Sequence, residues 1–362
     1  MKKLEIKDFR KWLRIIRGRK PTLFLEYTTK LISYREPRKQ YPQKWNKYDE
    51  AKTNEDQLFK RILIELLEKA IENQQPTRGR RPIDKRTRIF CMCMKVYYRS
   101  DLRKCTSLLK EWKRLNYIDK APCFKSIDNF FNDESMSDVL DDLILITALP
   151  LAKFEDTCGM DGTGFSLSRF DRWNNYKWGR HKGKQRVWRK AHLFAGCKSN
   201  IIIGVEVTEK NVPDIKMVEQ VIGQKPLFFE MQNFVADKAY SSRRVLGFIK
   251  ELNMAPYIPF KKNVSSKSKG YTIWNKMFKL FKEKPQEFMP IYNARSNLES
   301  SIHMVKQRFG DNLNTKKLKA NVNEIKIKVL CHNICCLIVE LFERRISIDF
   351  EDCVKKTQLC NK

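Results

Sequence analysis

The sequence contains no apolar stretch that would cross a lipid bilayer. Its longest apolar runs, at 143–152 and 329–342, are too short or too polar to span a membrane. The segment from Met1 to Arg14 alternates charged and apolar side chains and lacks the apolar region of a secretory signal peptide. These absences argue against a membrane protein and a secreted protein, and we expect no membrane partner.

The cysteines do not have the pattern of a disulfide framework. There are 11 of them, an odd number, and they are scattered along the chain. We therefore expect reduced thiols, as in a cytosolic protein. Cys331, Cys335 and Cys336 could suggest a zinc site, but they lie in a strongly apolar helical segment, where cysteine behaves as a small hydrophobic residue. We interpret this group as core packing.

Acidic residues are scarce relative to basic ones. The chain has 73 Lys and Arg against 42 Asp and Glu, a formal net charge of +31, which would attract polyanions strongly. It also has 7 Trp, 22 Phe and 12 Tyr within an apolar fraction of 42%, enough to build a buried core. We expect a folded protein that faces nucleic acid.

Hydrophobic periodicity divides the 362 residues into four parts. We expect a basic extension with an amphipathic helix at 1–76, an all-α region at 77–150, an α/β domain at 151–310 and a helical segment at 311–362. Short β-branched or aromatic segments predict strands at 157–165, 190–196, 201–207, part of 227–237 and 255–260. Helical patterns occur at 55–71, 84–98, 101–113, 125–133, 135–148, 214–222, 242–252, 295–309 and 321–344. The domain at 151–310 should be a mixed sheet with flanking helices and a Lys-rich insertion at 261–290.

Two aspartates lie where an active site in such a sheet is expected. Asp161 ends the first predicted strand, and glycines beside it leave room for a bulky ligand near the backbone. Asp237 ends the fourth predicted strand. Mixed α/β sheets bind ligands at the carboxyl ends of their strands, although either residue alone could be an ordinary turn residue.

A third acid, Glu299, lies in a helical segment with a more specific pattern. At about 100° per residue, Tyr292, Arg295, Glu299 and Lys306 share one narrow stripe. An apolar stripe beside it could dock the helix on a sheet: Leu298, Ile302, Val305 and Phe309. A solvated helix face with an Arg295–Glu299 ion pair, worth about 0.3–0.5 kcal/mol, would explain the pair but not the whole stripe.

The spacing Tyr292-x2-Arg295-x3-Glu299-x6-Lys306 resembles the Y-R-E-K signature of insertion-sequence transposases of the DDE type. Three further segments resemble motifs of the same family: Asp161-Gly162-Thr163, Trp188-Arg189-Lys190-Ala191-His192-Leu193 and Ala236-Asp237-Lys238-Ala239-Tyr240. Ala239 stands where that family usually has Gly. The resemblance covers approximately residues 155–345.

The resemblance implies an α/β catalytic domain of ribonuclease-H-like type behind an all-α N-terminal DNA-binding region. By matched position, Asp161, Asp237 and Glu299 would be the catalytic triad and would hold two Mg²⁺ or Mn²⁺ ions. Carboxylates with almost no histidine suit such hard cations. Tyr292, Arg295 and Lys306 would contact the DNA.

The same resemblance implies a transposase that cleaves transposon ends and transfers the freed 3′-hydroxyl into target DNA, by cut-and-paste transposition. Its partners would be double-stranded DNA, as terminal inverted repeats and as target, and a second copy of the chain on that DNA. A cytoplasmic, nucleoid-associated protein of a prokaryote is the expected setting. A catalytically silent transposon-derived DNA-binding protein and a stand-alone metal-dependent nuclease remain alternatives.

Two further basic segments are candidate DNA contacts. The first interleaves basic and aromatic side chains, a pattern that suits backbone neutralisation and base stacking, although a solvated loop is the alternative. Its members are Arg172, Trp173, Lys177, Trp178, Arg180, Lys182, Lys184, Arg186, Trp188, Arg189 and Lys190. The second segment contains Arg78, Arg80 and Arg81 and resembles a minor-groove arm, or else an ordinary basic linker.

Overall fold

Five strands form a single mixed sheet in the computed structural model, which describes residues 44–72, 82–167, 188–223 and 225–360. The strands are β1 Thr157–Ser166, β2 Trp188–Gly196, β3 Ile202–Glu209, β4 Asn233–Ala236 and β5 Ala255–Tyr257. Their order across the sheet is β3-β2-β1-β4-β5. β2 is antiparallel to both β1 and β3, whereas β4 is parallel to β1 and β5. The predicted mixed sheet is therefore confirmed, and it is consistent with a ribonuclease-H-like domain.

Helices precede the sheet, connect its strands and follow it. Those before the sheet are α1 Trp45–Ala70, α2 Lys85–Tyr97, α3 Leu102–Arg114, α4 Phe124–Phe131 and α5 Met136–Ala148. Those between the strands are α6 Asp214–Ile222 and α7 Arg243–Glu251. After β5 come α8 Thr272–Glu283, α9 Pro285–Tyr292, α10 Ser296–Phe309, α11 Leu318–Glu343 and α12 Phe350–Cys360. Short 3₁₀ turns lie at 149–151, 225–228, 238–240 and 293–295.

α11 is buried along most of its length and joins the early helices to the sheet. It packs against α2, α5 and β3. Asn333, fully buried, donates hydrogen bonds to the carbonyl of Ile202 at 2.7 Å and to Thr147 Oγ1 at 3.1 Å, and accepts one from the Ile202 amide at 3.0 Å. One amide side chain thus connects α5 and β3, because a buried polar group must find its partners inside the protein.

The cysteines of α11 lie in this core. Cys331, Cys335 and Cys336 are all buried among apolar neighbours, so their interpretation as core residues is confirmed. All cysteines whose side chains the structure describes are free thiols. Burial raises the pKa of Cys335 to about 11, which keeps that thiol protonated at neutral pH.

The insertion at 261–290 contains two helices that pack on the edge of the sheet near β5. α8 contacts α7, and α9 contacts β4 and β5. Buried aromatic rings hold the insertion together: Phe260 meets Trp274 edge-on at 4.8 Å, and Phe281 meets Phe288 at 5.1 Å. Because α9 runs directly into the turn before α10, this aromatic cluster also fixes where α10 begins.

The chain divides into two compact units, Met1–Trp45 and Asn46–Lys362, and the elements described here belong to the second apart from the first residue of α1. The division of that second unit at residues 76, 150 and 310 stays a prediction. Within the described ranges, no helix is long and apolar enough to traverse a bilayer.

Candidate active site

The two predicted aspartates are brought together by neighbouring parallel strands. The prediction that Asp161 ends its strand is wrong, because it lies in the middle of β1, whereas Asp237 directly follows the end of β4. Met160 of β1 is in register with Ala236, the last residue of β4. The next residues, Asp161 and Asp237, are therefore about 4.8 Å apart at the backbone, the usual spacing of paired strands. Asp161 Oδ1 accepts a hydrogen bond from the Gly162 amide at 2.8 Å. The Asp237 carboxylate has no hydrogen bond or ion pair with the described part of the chain.

The third acid reaches Asp161 through an arginine. Arg295 Nη2 donates to Glu299 Oε1 at 2.6 Å, and Arg295 Nη1 lies 3.5 Å from Asp161 Oδ2. The predicted ion pair within the helix is present, but the guanidinium also extends to the sheet. A single cationic side chain therefore bridges two of the three predicted catalytic acids.

α10 can approach the sheet because β1 has no side chain at Gly159. A Cβ added there would lie 2.6 Å from Leu298 Cδ1 and 2.3 Å from the carbonyl oxygen of Val235. Leu298 and Val305 are buried, while Glu299 is exposed. The helix thus buries one edge and presents the adjacent edge near the aspartates, as its two stripes predict.

The acids lie too far apart, as they stand, to enclose an ion together. Among the residues that the structure describes, no group of three or more His, Cys, Asp or Glu side chains is placed to hold a metal. The Arg295 guanidinium lies between Asp161 and Glu299 and neutralises both. Carboxylates are suitable ligands for a hard divalent cation. The three acids therefore fit a metal site by their residue type and by their placement on the fold. Closing the set around an ion requires Arg295 to turn aside.

Burial and like charge destabilise the ionised form of Asp161. Burial raises the pKa of this carboxyl, and the charges of Glu299 and Asp214 raise it further, while the Gly162 amide and Arg295 oppose the shift. A cation beside Asp161 would reverse this penalty. A carboxyl perturbed in this way, in the middle of β1 and beside the end of β4, is typical of a functional site.

Tyr240, three residues after Asp237, is buried near the same acids. It is 2% exposed, and its hydroxyl has no hydrogen-bond partner within the described ranges. Burial raises its pKa, and the charges of Asp214, Asp161 and Asp237 raise it further. The buried phenol therefore lies within electrostatic reach of all three aspartates.

Asp214, the first residue of α6, is the acid that the sequence did not single out. It lies over Gly162, where a Cβ would come within 2.3 Å of Asp214 Oδ1. Asp214 Oδ2 accepts a hydrogen bond from Lys190 Nζ at 2.6 Å, and Asp214 Oδ1 lies 2.9 Å from His192 Nδ1. Burial would raise the pKa of Asp214, but these two partners outweigh it and lower the pKa. The available signal was the alternation of Lys190 and His192 on β2, which places both on one face.

Comparison with known families identifies the family to which this chain belongs. The family model described as transposase DDE domain matches residues 153–334, half of the 362-residue chain. The chain belongs to the DDE transposase family. No solved structure gives a significant match to it. Membership supports transposase activity on DNA, and enzymes of this family generally use divalent metal ions.

The family match spans the whole sheet, α6, α10 and most of α11. It therefore includes Asp161, Asp237, Glu299 and also Asp214. The assignment of individual catalytic residues within the DDE domain stays a prediction, as does the Y-R-E-K signature.

The predicted DNA-contacting stripe of this transposase domain is partly assembled. Tyr292 ends α9, three residues before Arg295. Burial lowers the pKa of Arg295, but the effect of Tyr292 and the charges of Asp161 and Glu299 outweigh it and leave the pKa raised. Lys306 lies two helical turns beyond Glu299, about 10 Å along the axis. Its ammonium lies 5.4 Å from the centre of the Phe165 ring rather than beside the acids.

Three residues of the predicted basic–aromatic segment lie at the start of β2 and contact the protein itself. Trp188 packs over Gly164, where a Cβ would lie 2.8 Å from its ring. Arg189 donates to Asn321 Oδ1 at 3.2 Å, and Lys190 binds Asp214. These contacts fix β2 beside β1. A DNA contact by Arg189 or Lys190 would therefore use a side chain that already holds the protein together.

The remaining predicted DNA contacts lie outside the described residues. They are Arg78, Arg80, Arg81, Arg172, Trp173, Lys177, Trp178, Arg180, Lys182, Lys184 and Arg186. Their roles stay predictions.

Proposed function

We propose that this protein cleaves DNA at the ends of a mobile element and joins the freed 3′-hydroxyl to target DNA, as cut-and-paste transposition requires. The observation that carries the proposal is the placement of Asp161 and Asp237 on adjacent parallel strands, with Glu299 connected to Asp161 through Arg295. Acids gathered at one edge of a mixed sheet suit phosphodiester chemistry with divalent cations.

Asp161, Asp237 and Glu299 would hold two Mg²⁺ or Mn²⁺ ions. Asp161, central among the acids, would contact both, and Asp237 and Glu299 would each complete one site. When bound, such ions activate water, stabilise the leaving oxygen and neutralise phosphate charge. The free carboxylate of Asp237 and the raised pKa of Asp161 both support a role in cation binding.

Arg295 would then change partners. Its planar guanidinium binds phosphate oxygens as readily as carboxylates, because both present paired acceptors. Once the acids are neutralised by cations, Arg295 is free to hold the DNA strand, and Tyr292, one turn earlier, would contact the same strand. Lys306, with its ammonium over Phe165, would contact the backbone further along.

The proposed partner is double-stranded DNA, first as terminal inverted repeats and then as target. The net charge of +31 supports strong, salt-sensitive binding to the backbone. Two ends must be brought together before insertion, so we propose a homodimer on DNA.

A supercoiled-plasmid cleavage assay with Mg²⁺ or Mn²⁺ tests this function, using a plasmid that carries the element. Asp161→Asn, Asp237→Asn and Glu299→Gln should each reduce cleavage about 10³-fold or more, since each removes a group needed for one concerted step. DNA binding should be retained. Ser300→Ala, on the exposed face of α10, is the matched control and should cleave normally.

The alternatives give different products. Cleavage without joining of precut ends to target DNA would indicate a stand-alone nuclease. Tight DNA binding by the wild type with no cleavage in either metal would indicate a silent DNA-binding protein. Metal-dependent cleavage that survives in Asp161→Asn would refute the active-site assignment.

A further inference from the structure

A cleft of about 540 Å³ opens away from the acids, between the early helices and the segment that follows α10. The end of α2 and the start of α3 form one wall, with Lys95, Arg99 and Arg103. The loop at 310–315 and Lys328 of α11 form the other. Its lining is mostly polar, so it does not have the character of a site for an apolar ligand.

Three cations of this cleft lack an acidic partner. Lys95 is 5% exposed, yet its ammonium makes no hydrogen bond or ion pair with the described residues and only faces the Phe131 ring at 5.5 Å. Arg99 likewise has no ion pair there, and Arg103 lies over the Phe124 ring at 5.1 Å. The Lys95 ammonium borders the open cleft, and no carboxylate of the described residues pairs with it, which favours an anion in the cleft as its partner.

The acids that line the cleft are already engaged. Buried Glu324 accepts hydrogen bonds from the amides of Asn314 and Thr315 at 3.0 and 2.9 Å. Asp101 accepts one from the Lys104 amide at 2.8 Å and so caps α3. Asp128 pairs with Lys125 at 3.1 Å.

Lys328 is also committed, donating to the carbonyls of Gly310 and Asn312 at 2.9 and 2.8 Å. The charge left available in the cleft is therefore positive, from Lys95, Arg99 and Arg103.

Arg99 occupies a backbone position that favours glycine. α2 ends in a Schellman motif, in which the Arg99 amide bonds to the Val96 carbonyl and the Ser100 amide to the Lys95 carbonyl. The motif places Arg99 at φ +49°, a left-handed conformation that costs a residue with a Cβ more than it costs glycine. Its guanidinium extends over Gly310, where a Cβ would lie 3.4 Å from Arg99 Nη2.

The cleft begins at the end of α10, the helix whose exposed edge is proposed to contact DNA. Lys306 and Lys328 both lie 5.4 Å from the centre of the Phe165 ring, one on that edge and the other in the cleft wall. Phe309, which also lines the cleft, is ten residues beyond Glu299, about 15 Å along the helix axis. A DNA strand advances about 3.4 Å per nucleotide, so this distance corresponds to four or five phosphates.

We propose that this cleft binds a backbone phosphate of duplex DNA, about four to five base pairs from the phosphate that is cleaved. The inference rests on the proposed function, since it takes DNA as the substrate. A contact of this kind positions the duplex and reads no sequence. Lys95 supplies a point charge at the cleft wall, and Arg99 supplies a fork that can span two phosphate oxygens.

Arg99→Gly tests the site without endangering the fold, because glycine suits the left-handed position. We expect its thermal midpoint to equal or exceed that of the wild type. Its Kd for a labelled 30-base-pair duplex of arbitrary sequence, measured in EDTA, should rise roughly threefold to tenfold at moderate salt. The slope of log K against log salt should fall by about 0.9 for the lost contact. Lys95→Met should act in the same direction.

Asn116→Gly is the matched control. Asn116 has φ +58° in the same kind of helix ending after α3, but it is exposed and outside the cleft lining. It should leave both the affinity and the salt slope unchanged. Folded Arg99→Gly and Lys95→Met proteins that bind the duplex like the wild type would overturn the proposal.

A second experiment distinguishes binding of DNA from binding of a free anion. Inorganic phosphate should raise the thermal midpoint of the wild type little at millimolar concentration. A large rise that Arg99→Gly abolishes, with unchanged duplex binding, would instead assign the cleft to free phosphate and overturn the DNA assignment. Because these measurements need no metal and no cleavage, their failure would leave the plasmid assay of the proposed function unaffected.

Discussion

Replacing Gly159 with Ala should separate α10 from the sheet and so move Glu299 away from the aspartates. The new methyl would lie 2.3 Å from the Val235 carbonyl oxygen and 2.6 Å from Leu298 Cδ1. Carbon and carbonyl oxygen normally approach no closer than about 3.3 Å, so roughly 1 Å of movement is needed. Because the oxygen belongs to the backbone of β4, it cannot rotate out of the way.

Two magnitudes follow from that displacement. Overpacking of a close contact costs about 1–3 kcal/mol, which should appear as a lower free energy of unfolding. A misplacement of about 1 Å between reacting groups can cost about 10²-fold in rate. We therefore expect Gly159→Ala to fold, with reduced stability, and to cleave plasmid DNA about 10²-fold more slowly.

Stability is measured by urea unfolding, followed by tryptophan fluorescence. Activity is measured as Mn²⁺-dependent plasmid nicking in the absence of urea, at a temperature where both proteins are folded. Ser300→Ala, on the exposed face of α10, should leave stability within about 0.5 kcal/mol and activity unchanged. If Gly159→Ala loses stability but nicks at the normal rate, the seating of α10 does not set the site. Unchanged stability would show that the close approach at Gly159 is absent.

Two further predictions concern groups outside the triad. Asp214→Asn should lower the free energy of unfolding by about 2 kcal/mol, because Lys190 and His192 lose a charged acceptor, and should reduce plasmid nicking while binding of arbitrary duplex DNA is retained. Burial lowers the pKa of His332 to about 4 from the ordinary 6.5, so the unfolded chain takes up a proton first and stability is lost as pH falls from 6.5 towards 4. The loss amounts to at most about 3 kcal/mol. His332→Gln, which keeps a donor for the Asn200 carbonyl, should flatten that pH dependence in urea unfolding at pH 4.5 and 7.5; an unchanged slope would contradict it.

Elements with clear apolar spacing could be predicted closely. The helix predicted at 214–222 is observed as Asp214–Ile222, and the strand predicted at 157–165 as Thr157–Ser166. α1 begins ten residues before its predicted start, because its first turns are polar and bury only Ala51 before Glu55. The strand predicted within part of 227–237 is observed as Asn233–Ala236. Leu227, at the other end of that range, is 63% exposed in a 3₁₀ turn.

The candidate site could be predicted where the signal is local. The aspartate that follows β4 and the helix stripe are each visible within a few residues, whereas Asp161 lies in the middle of β1 and not at its predicted end. The contact of Asp214 with Lys190 and Gly162 joins the start of a helix to two strands, and it depends on the register between β1 and β2. At the sequence level Asp214 is an ordinary acid in the first turn of a helix, which is favoured there by the helix dipole alone. Its role beside Asp161 arises only from tertiary pairing.

Arg295 shows why the same residue can satisfy both a structural and a functional interpretation. An ion pair with Glu299 one turn away explains its spacing, and DNA contact explains its place in the stripe. The structure adds a contact with Asp161 at 3.5 Å, which lets two carboxylates lie near each other without a cation. Under the proposed function, the guanidinium cannot neutralise both acids and hold a phosphate at once. Divalent cations would take over the first task and release Arg295 for the second, so that capture of the DNA strand follows from loading of the acids.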